Sequence, residues 1–169
     1  MSISLRSRFW RTVLCTTFKN QKFSITEHRI NGIKNSKLMG GIPKTMLAEK
    51  INIDGIHAEW LVPAGASHEK VIVYLHGGGY VTGCIEDHRM LCGLLANATG
   101  LKVLIPEYRL APENPFPAAL DDALKVYQWL LTQGTSSANI IIAGDSAGGG
   151  LSVAVVLALK DKNESLPAA

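Results

Sequence analysis

Cysteine is scarce in this chain, with Cys15, Cys84 and Cys92 its only thiols. They form no zinc-ligand spacing and an odd number cannot all pair, which excludes a disulfide-stapled scaffold and favours reduced thiols in a cytoplasmic protein. No apolar run approaches the roughly 20 residues that span a bilayer. The amino-terminal arm has no signal-peptide cleavage pattern, and the sequence contains neither internal repeats nor low-complexity tracts. Acidic residues are nearly missing from the first fifty positions, which hold ten Lys and Arg against two Glu; the remainder is net acidic, so the formal charge of +3 conceals an asymmetry. A basic arm of this kind is compatible with a nucleic-acid or membrane partner. Histidine is absent from everything beyond His88.

What is present, from residue 46 onward, alternates between strand and helix. Residues 46–53 and 56–63 alternate well enough for two strands joined at Asp54-Gly55, a hairpin signal. Residues 70–75 form the next strand. Apolar residues at helical spacing from Arg89 to Ala98 end at Gly100, a helix stop, and residues 101–106 return to strand. Pro117 suits the first turn of a helix running to about Gln133, with Asp121 and Asp122 near its positive end. The strand 139–143 contains Ile-Ile-Ile, as a strand covered on both faces would, and residues 151–159 read as helix. Strands alternating with helices predict an α/β domain with a mainly parallel sheet and helices on both faces. A hydrophobic content of 47% is ordinary for such a core.

Two short stretches carry the chemistry. Gly144-Asp145-Ser146-Ala147-Gly148 matches G-x-S-x-G and lies between a strand and a helix, the context that pattern needs. A serine hydroxyl is a weak nucleophile, so it must stand clear of its neighbours where a base and a substrate carbonyl both reach it. Gly144 and Gly148 permit the strained turn that exposes it. Gly149 and Gly150 then open the helix, where glycine is intrinsically unfavourable; close helix-to-sheet packing and an approaching substrate are the two explanations. The second stretch is His76-Gly77-Gly78-Gly79, just past the carboxyl end of strand 70–75, where ligands bind in open α/β sheets. Without side chains, Gly78 and Gly79 can aim their amides at an oxyanion, and Ala147 at the start of the helix after Ser146 gives a third donor. A phosphate loop would need Gly-Lys-Ser/Thr after a longer spacer, and Tyr80-Val81-Thr82-Gly83 follows instead.

Between the two stretches lie Pro106-Glu107-Tyr108-Arg109-Leu110-Ala111-Pro112-Glu113 and Pro115-Phe116-Pro117-Ala118-Ala119. With HGGGY, YRLAPE, FPAA and GDSAGG in this order, residues 45–169 closely resemble the hormone-sensitive-lipase-like carboxylesterases of the α/β-hydrolase superfamily. Residues 1–44 match only loosely. The resemblance implies an α/β-hydrolase fold and a serine hydrolase that cleaves carboxylic esters through an acyl-enzyme on Ser146. It implies an oxyanion hole from Gly77, Gly78, Gly79 and Ala147, and support from His76, Asp145, Gly144 and Gly148. His76 is then the loop-anchoring histidine rather than the catalytic base. No metal or cofactor is required, the partner is a small-molecule ester with a short or medium acyl chain, and no nucleic acid is involved. The basic residues 1–44 become cap or lid helices, in which Phe9, Trp10, Val13, Leu14 and Phe18 can share one face.

In that superfamily the triad runs Ser, then Asp or Glu, then His along the chain. Here His28, His57, His68, His76 and His88 all precede Ser146, and the only later acids are Asp161 and Glu164 in a polar helix end and loop. Neither acid inherits the role. His88 as a base in cis is weighed against a structural first-turn residue, which is favoured; His28, His57 and His68 read as solvated. Arg109 and Glu113 could contact substrate, but an Arg-to-carboxylate pair that fixes loop geometry is the stronger reading. Cys84 lies near the glycine loop, where it could touch substrate or pack as a small buried residue. The chain therefore reads as the N-terminal part of a hydrolase. It is expected to expose the Ile-Ile-Ile strand as an unpaired edge that invites self-association. Three functions compete: an esterase, a catalytically incompetent fragment lacking the triad Asp and His, and a related amide or acetyl hydrolase.

Overall fold

The computed structural model describes residues 4–18, 24–38, 41–43 and 45–169. Helices α1 (Leu5–Phe18) and α2 (Ile25–Leu38) precede strands β1 (Leu47–Ile53), β2 (Ile56–Val62) and β3 (Ser67–Leu75). Then follow α3 (Ile85–Thr99), β4 (Leu101–Pro106), α4 (Ala118–Thr132), β5 (Ile140–Gly144) and α5 (Ser146–Asp161). The β1–β2 hairpin turns at Asp54 and Gly55, both at positive φ (47° and 93°), and the Gly55 N–H donates to Asn52 Oδ1 at 2.8 Å.

The five strands form one sheet in the order β1-β2-β4-β3-β5. β1, β2 and β4 pair antiparallel, whereas β4, β3 and β5 run parallel. Side chains on a strand alternate between faces, and here each face meets helices. Val71, Val73 and Leu75 join Leu104 and the α4 and α5 residues Val126, Leu130, Leu151 and Val155 in one core. Ile72 and Tyr74 point the other way, with Val103 and Ile105, onto Cys92 and Ala96 of α3. Ile140 and Ile142 serve the first core and Ile141 the second. The expected two-faced α/β sheet is thus present, with its site-bearing strands parallel.

Two boundaries differ from the sequence expectation. β3 starts at Ser67, because Ser67 pairs with Leu101 before a register irregularity that ends at Val71. α3 starts at Ile85, whose N–H donates to Glu107 Oε1 at 2.5 Å, so Glu86 and Asp87 fall inside the first turn, where negative charge is favourable. The edge of β5 also departs from expectation. The Ala168 N–H donates to Ile140 O and the Ile142 N–H to Ala169 O, both at 2.8 Å, so the final residues cover part of the outermost strand. Tyr127 holds the approach to that segment by donating its hydroxyl to Ser165 O at 2.6 Å. Among the described residues no helix is long and apolar enough to cross a membrane.

A charged pair ties α3 to the sheet. Glu59 on β2 is 1% exposed, and its carboxylate accepts from Arg89 Nε at 2.6 Å and Nη2 at 2.7 Å. Removing one member of a buried pair leaves an uncompensated charge, at a cost of about 3–5 kcal/mol. Arg89→Ala is therefore expected to lower the unfolding free energy by about that amount in urea titrations, and the double variant Glu59→Leu/Arg89→Leu to recover much of the loss.

Candidate active site

Leu75 and Gly144 are register partners at the ends of parallel β3 and β5, which sets the loop after β3 beside the turn after β5. Asp145 is extended (φ −108°, ψ 152°), and Ser146, the first residue of α5, takes φ +48°. A non-glycine residue there stores strain and persists only where its surroundings over-determine it. The surroundings are tight. A Cβ on Gly148 would lie 1.9 Å from Leu75 O, and one on Gly144 would lie 2.5 Å from the same oxygen. Ser146 itself is exposed, and its hydroxyl has no hydrogen-bond partner among the described residues. Backbone packing accounts for the next glycine, whereas the one after it faces only the end of the Tyr80 side chain. A Cβ on Gly149 would meet Gly144 O at 3.3 Å, and one on Gly150 would meet the Tyr80 hydroxyl at 3.0 Å.

Asp145 joins the two loops. Its Oδ1 accepts from the Gly77 N–H at 2.9 Å and from the Tyr74 hydroxyl at 3.1 Å, and lies 3.3 Å from His88 Nε2. This corrects the expected donor set: the Gly77 amide is already committed to Asp145 and is not free to bind an oxyanion. Gly77 instead lets the loop approach, since a Cβ there would lie 2.2 Å from Asp145 Oδ2. The chain then turns through Gly78 (φ +125°), Gly79 (φ +63°) and Tyr80 (φ +63°). Gly78 O accepts from the Val81 and Thr82 amides and the Thr82 hydroxyl, at 3.1, 2.9 and 3.0 Å. The Gly78 and Gly79 amides donate to no group among the described residues. Ala147, in the first turn of α5, likewise has an amide with no intrahelical acceptor. Three unspent amides beside an exposed hydroxyl can stabilise negative charge developing on a carbonyl oxygen.

His76 is fully buried beneath this loop. Its Nδ1–H donates to Gly77 O at 2.9 Å, its ring stacks on Tyr108 (centroids 4.2 Å apart, planes 14°), and the Tyr108 hydroxyl donates to His76 O at 2.5 Å. Burial, opposed in part by the bond to Gly77, pushes the imidazole down to about 4. His88 faces Asp145 with Nε2 and Cys84 O with Nδ1 (3.2 Å), not Ser146, which fits its structural first-turn reading. His28 and His57 are exposed, and the His68 side chain lies outside the described residues.

Both charged residues of the YRLAPE segment have carboxylate or guanidinium partners. Arg109 Nε and Nη2 donate to Asp122, 3% exposed, at 2.7–3.0 Å, and the Arg109 backbone N–H is a third donor at 2.8 Å. Glu113 receives Arg29 of α2 at 2.9 Å on each oxygen, which holds its carboxyl below the usual range. Cys84 and Cys92 are free thiols, each pushed up to about 12 chiefly by burial; the Cys15 side chain lies outside the described residues. Cys84, Glu86 and Glu107 are close enough to share a cation, with donor atoms within 4.8 Å of one another. Arg89 already lies 3.6 Å from Glu86, and the Ile85 amide occupies Glu107.

Sequence reasoning missed the partners more than the principals. Asp122 had a signal, as a carboxylate at i+4 from Ala118 and i−4 from Val126 on the buried stripe of α4. Tyr74, Tyr108 and Arg29 carried none.

A serine at a strand–turn–helix elbow, next to a glycine loop on the adjacent parallel strand, defines the α/β-hydrolase class. The chain belongs to the α/β-hydrolase fold family, which matches it over residues 72–169. An acetyl-hydrolase of Streptomyces hygroscopicus is 43% identical over 129 residues, 76% of this chain and 42% of that protein. An esterase of Acinetobacter venetianus is 40% identical over 123 residues, 73% of this chain and 40% of its own length. A solved esterase from the bacterial hormone-sensitive lipase family superposes with a TM-score of 0.84 at 36% identity, over 99% of this chain and 56% of that one. The resemblance to hormone-sensitive-lipase-like carboxylesterases is borne out. The chain spans about two fifths of the length of these curated relatives and just over half of the solved structure.

The burial of His76 makes stability depend on pH. Its folded value of about 4 lies below the ordinary 6.5, so between these values the unfolded chain binds more protons and stability is lost as pH falls. The full window amounts to about 3 kcal/mol. Urea midpoints measured from pH 6.5 down to 4.5 are expected to fall, and to fall less in His76→Phe, which keeps the stack on Tyr108.

Proposed function

We propose that the protein carrying this chain is a carboxylic ester hydrolase that works through an acyl-enzyme on Ser146. The observation that supports it best is the exposed Ser146 hydroxyl at φ +48°, next to a loop whose Gly78 and Gly79 amides are unspent. Ser146 Oγ attacks the ester carbonyl, and the amides of Gly78, Gly79 and Ala147 hold the oxyanion. The alcohol leaves with a proton, and water then releases the acyl group. His76, Asp145, Gly144 and Gly148 shape the turn and the loop rather than react. The proton acceptor and its orienting acid are assigned to residues outside these 169, because Ser146 has no hydrogen-bond partner among the described residues and the chain spans only 42% and 40% of its relatives. The 169 residues alone are then catalytically incompetent.

Residues 1–44 serve as a cap over the hydrolase domain at 45–169. α2 supports this through Gly32 against Asp87 and Arg29 against both loops, although Ile42 already packs into the α3 core. The acyl group is short or medium. An apolar cavity of about 330 Å³ is lined by Tyr80, Phe116, Leu120, Leu151 and Ala154. Ala154 follows Ser146 at i+8 on α5 and Tyr80 follows the glycine loop, so the cavity is lined from both segments that carry the site. The partner is a small-molecule ester and no nucleic acid, the location is cytoplasmic, and the 169-residue chain self-associates along what remains open of the β5 edge. An acetyl or amide hydrolase with the same nucleophile is the second reading, its acetyl form favoured by the likeness to the Streptomyces hygroscopicus acetyl-hydrolase.

Hydrolysis of p-nitrophenyl acetate by the full-length protein is expected to fall about 10³-fold or more in Ser146→Ala, and a fluorophosphonate to label Ser146 in the unaltered protein. Retained turnover in Ser146→Ala contradicts the proposal. Filling the cavity with Ala154→Trp is expected to lower kcat/KM for hexanoate relative to acetate esters by about tenfold or more.

A further inference from the structure

Three successive residues, Gly78, Gly79 and Tyr80, hold positive φ, and for the bulky Tyr80 at +63° this is a strained conformation. Strain of that kind persists only where neighbouring groups hold it. The bonds that hold it can be traced. Tyr80 O accepts from the Ala111 N–H at 2.8 Å, so the loop after β3 hangs on the loop after β4. Arg29 of α2 completes the arrangement: Nε donates to Val81 O at 2.8 Å, Nη2 to Ala111 O at 2.9 Å, and Nη1 and Nη2 to the two Glu113 oxygens at 2.9 Å each. One guanidinium therefore fastens the residue after the strained tyrosine and the carbonyl of the residue whose amide holds the tyrosine. Its planar fork can reach both loops at once, whereas the ammonium of a lysine is a single point.

Resting on the reading of Gly78 and Gly79 as oxyanion donors, we propose that Arg29 is a positioning residue. It uses the N-terminal helix α2 to set the glycine loop, and Glu113 orients its guanidinium. Its contribution to global stability is small, because the ion pair is partly exposed (side chains 30% and 57%) and such pairs contribute little. Its contribution to catalysis is large, because a donor displaced by about 1 Å costs about a hundredfold in rate. The substrate is never touched by Arg29.

The two contributions separate in one set of experiments on the full-length protein. In Arg29→Ala, hydrogen exchange at the bonded loop amides of Val81, Thr82, Ala111 and Asn114 is expected to accelerate at least tenfold while β3, β4 and β5 keep their protection. The kcat for p-nitrophenyl acetate, per site titrated to its endpoint with a fluorophosphonate, is expected to fall roughly tenfold to a hundredfold with KM little changed. Arg29→Lys is expected to rescue little, since it keeps the charge and loses the fork. Unchanged exchange in Arg29→Ala, unchanged kcat per titrated site, or full rescue by lysine would each overturn the proposal. If the unaltered protein has no esterase activity, faster exchange confined to the two loops still supports the positioning role and the ester reading fails separately.

Discussion

One hydrogen bond, from the Gly77 N–H to Asp145 Oδ1, connects the ends of the two strands that carry the site. Backbone bonds to a carboxylate are among the stronger ones, about 1.5–3 kcal/mol when sheltered. Here the geometric effect matters more than the energy. With Gly77 held inward, the chain must reverse through Gly78 and Gly79, which leaves the next two amides pointing at nothing in the described structure. The same aspartate precedes Ser146, so the group that turns the glycine loop also fixes the residue from which the elbow departs. A Cβ on Gly144 or Gly148 would run into Leu75 O, so the elbow can seat against β3 only with glycine at both positions.

Beneath that bond lies a buried polar layer. The His76 Nδ1–H donates to Gly77 O, the Tyr108 hydroxyl donates to the His76 carbonyl, and the two stacked rings are both buried. Keeping the imidazole neutral makes the layer compatible with the apolar sheet, and it ties loop geometry to acidity. Farther out, charge is used for geometry: Arg109 with Asp122 ties the loop after β4 to α4, and Arg29 with Glu113 ties it to α2. Of these pairs, Arg29 with Glu113 is partly exposed and adds little stability, whereas Arg109 keeps the buried Asp122 carboxylate paired. Both matter by limiting where the loops can go.

The architecture was legible because its signals are local and redundant. The unbroken apolar run from Val71 to Leu75, the Asp54-Gly55 turn and the Gly100 stop each point to one element, and G-x-S-x-G is read with no more than the strand and helix that flank it. Donor assignment was less legible. Three successive glycines look alike in sequence, and only the register of β3 against β5 shows that the first amide is taken by Asp145. Pairings across long separations, Arg29 with Glu113 or Tyr108 with His76, leave no periodic trace. The β5 edge was misjudged for a related reason: whether residues 168 and 169 lie along a strand depends on the path of the preceding turn, which the polar stretch 160–165 does not encode.

The central claim is that Asp145 withdraws Gly77 and so dedicates Gly78, Gly79 and Ala147 to the oxyanion. It is tested most directly by a crystal structure of the full-length protein after reaction with a phosphonate ester. The account predicts phosphorus on Ser146 Oγ, its free oxygen within hydrogen-bond distance of those three amides, and the Gly77 N–H still on Asp145. A phosphonyl oxygen bound by the Gly77 amide, or an adduct on any other residue, would contradict it.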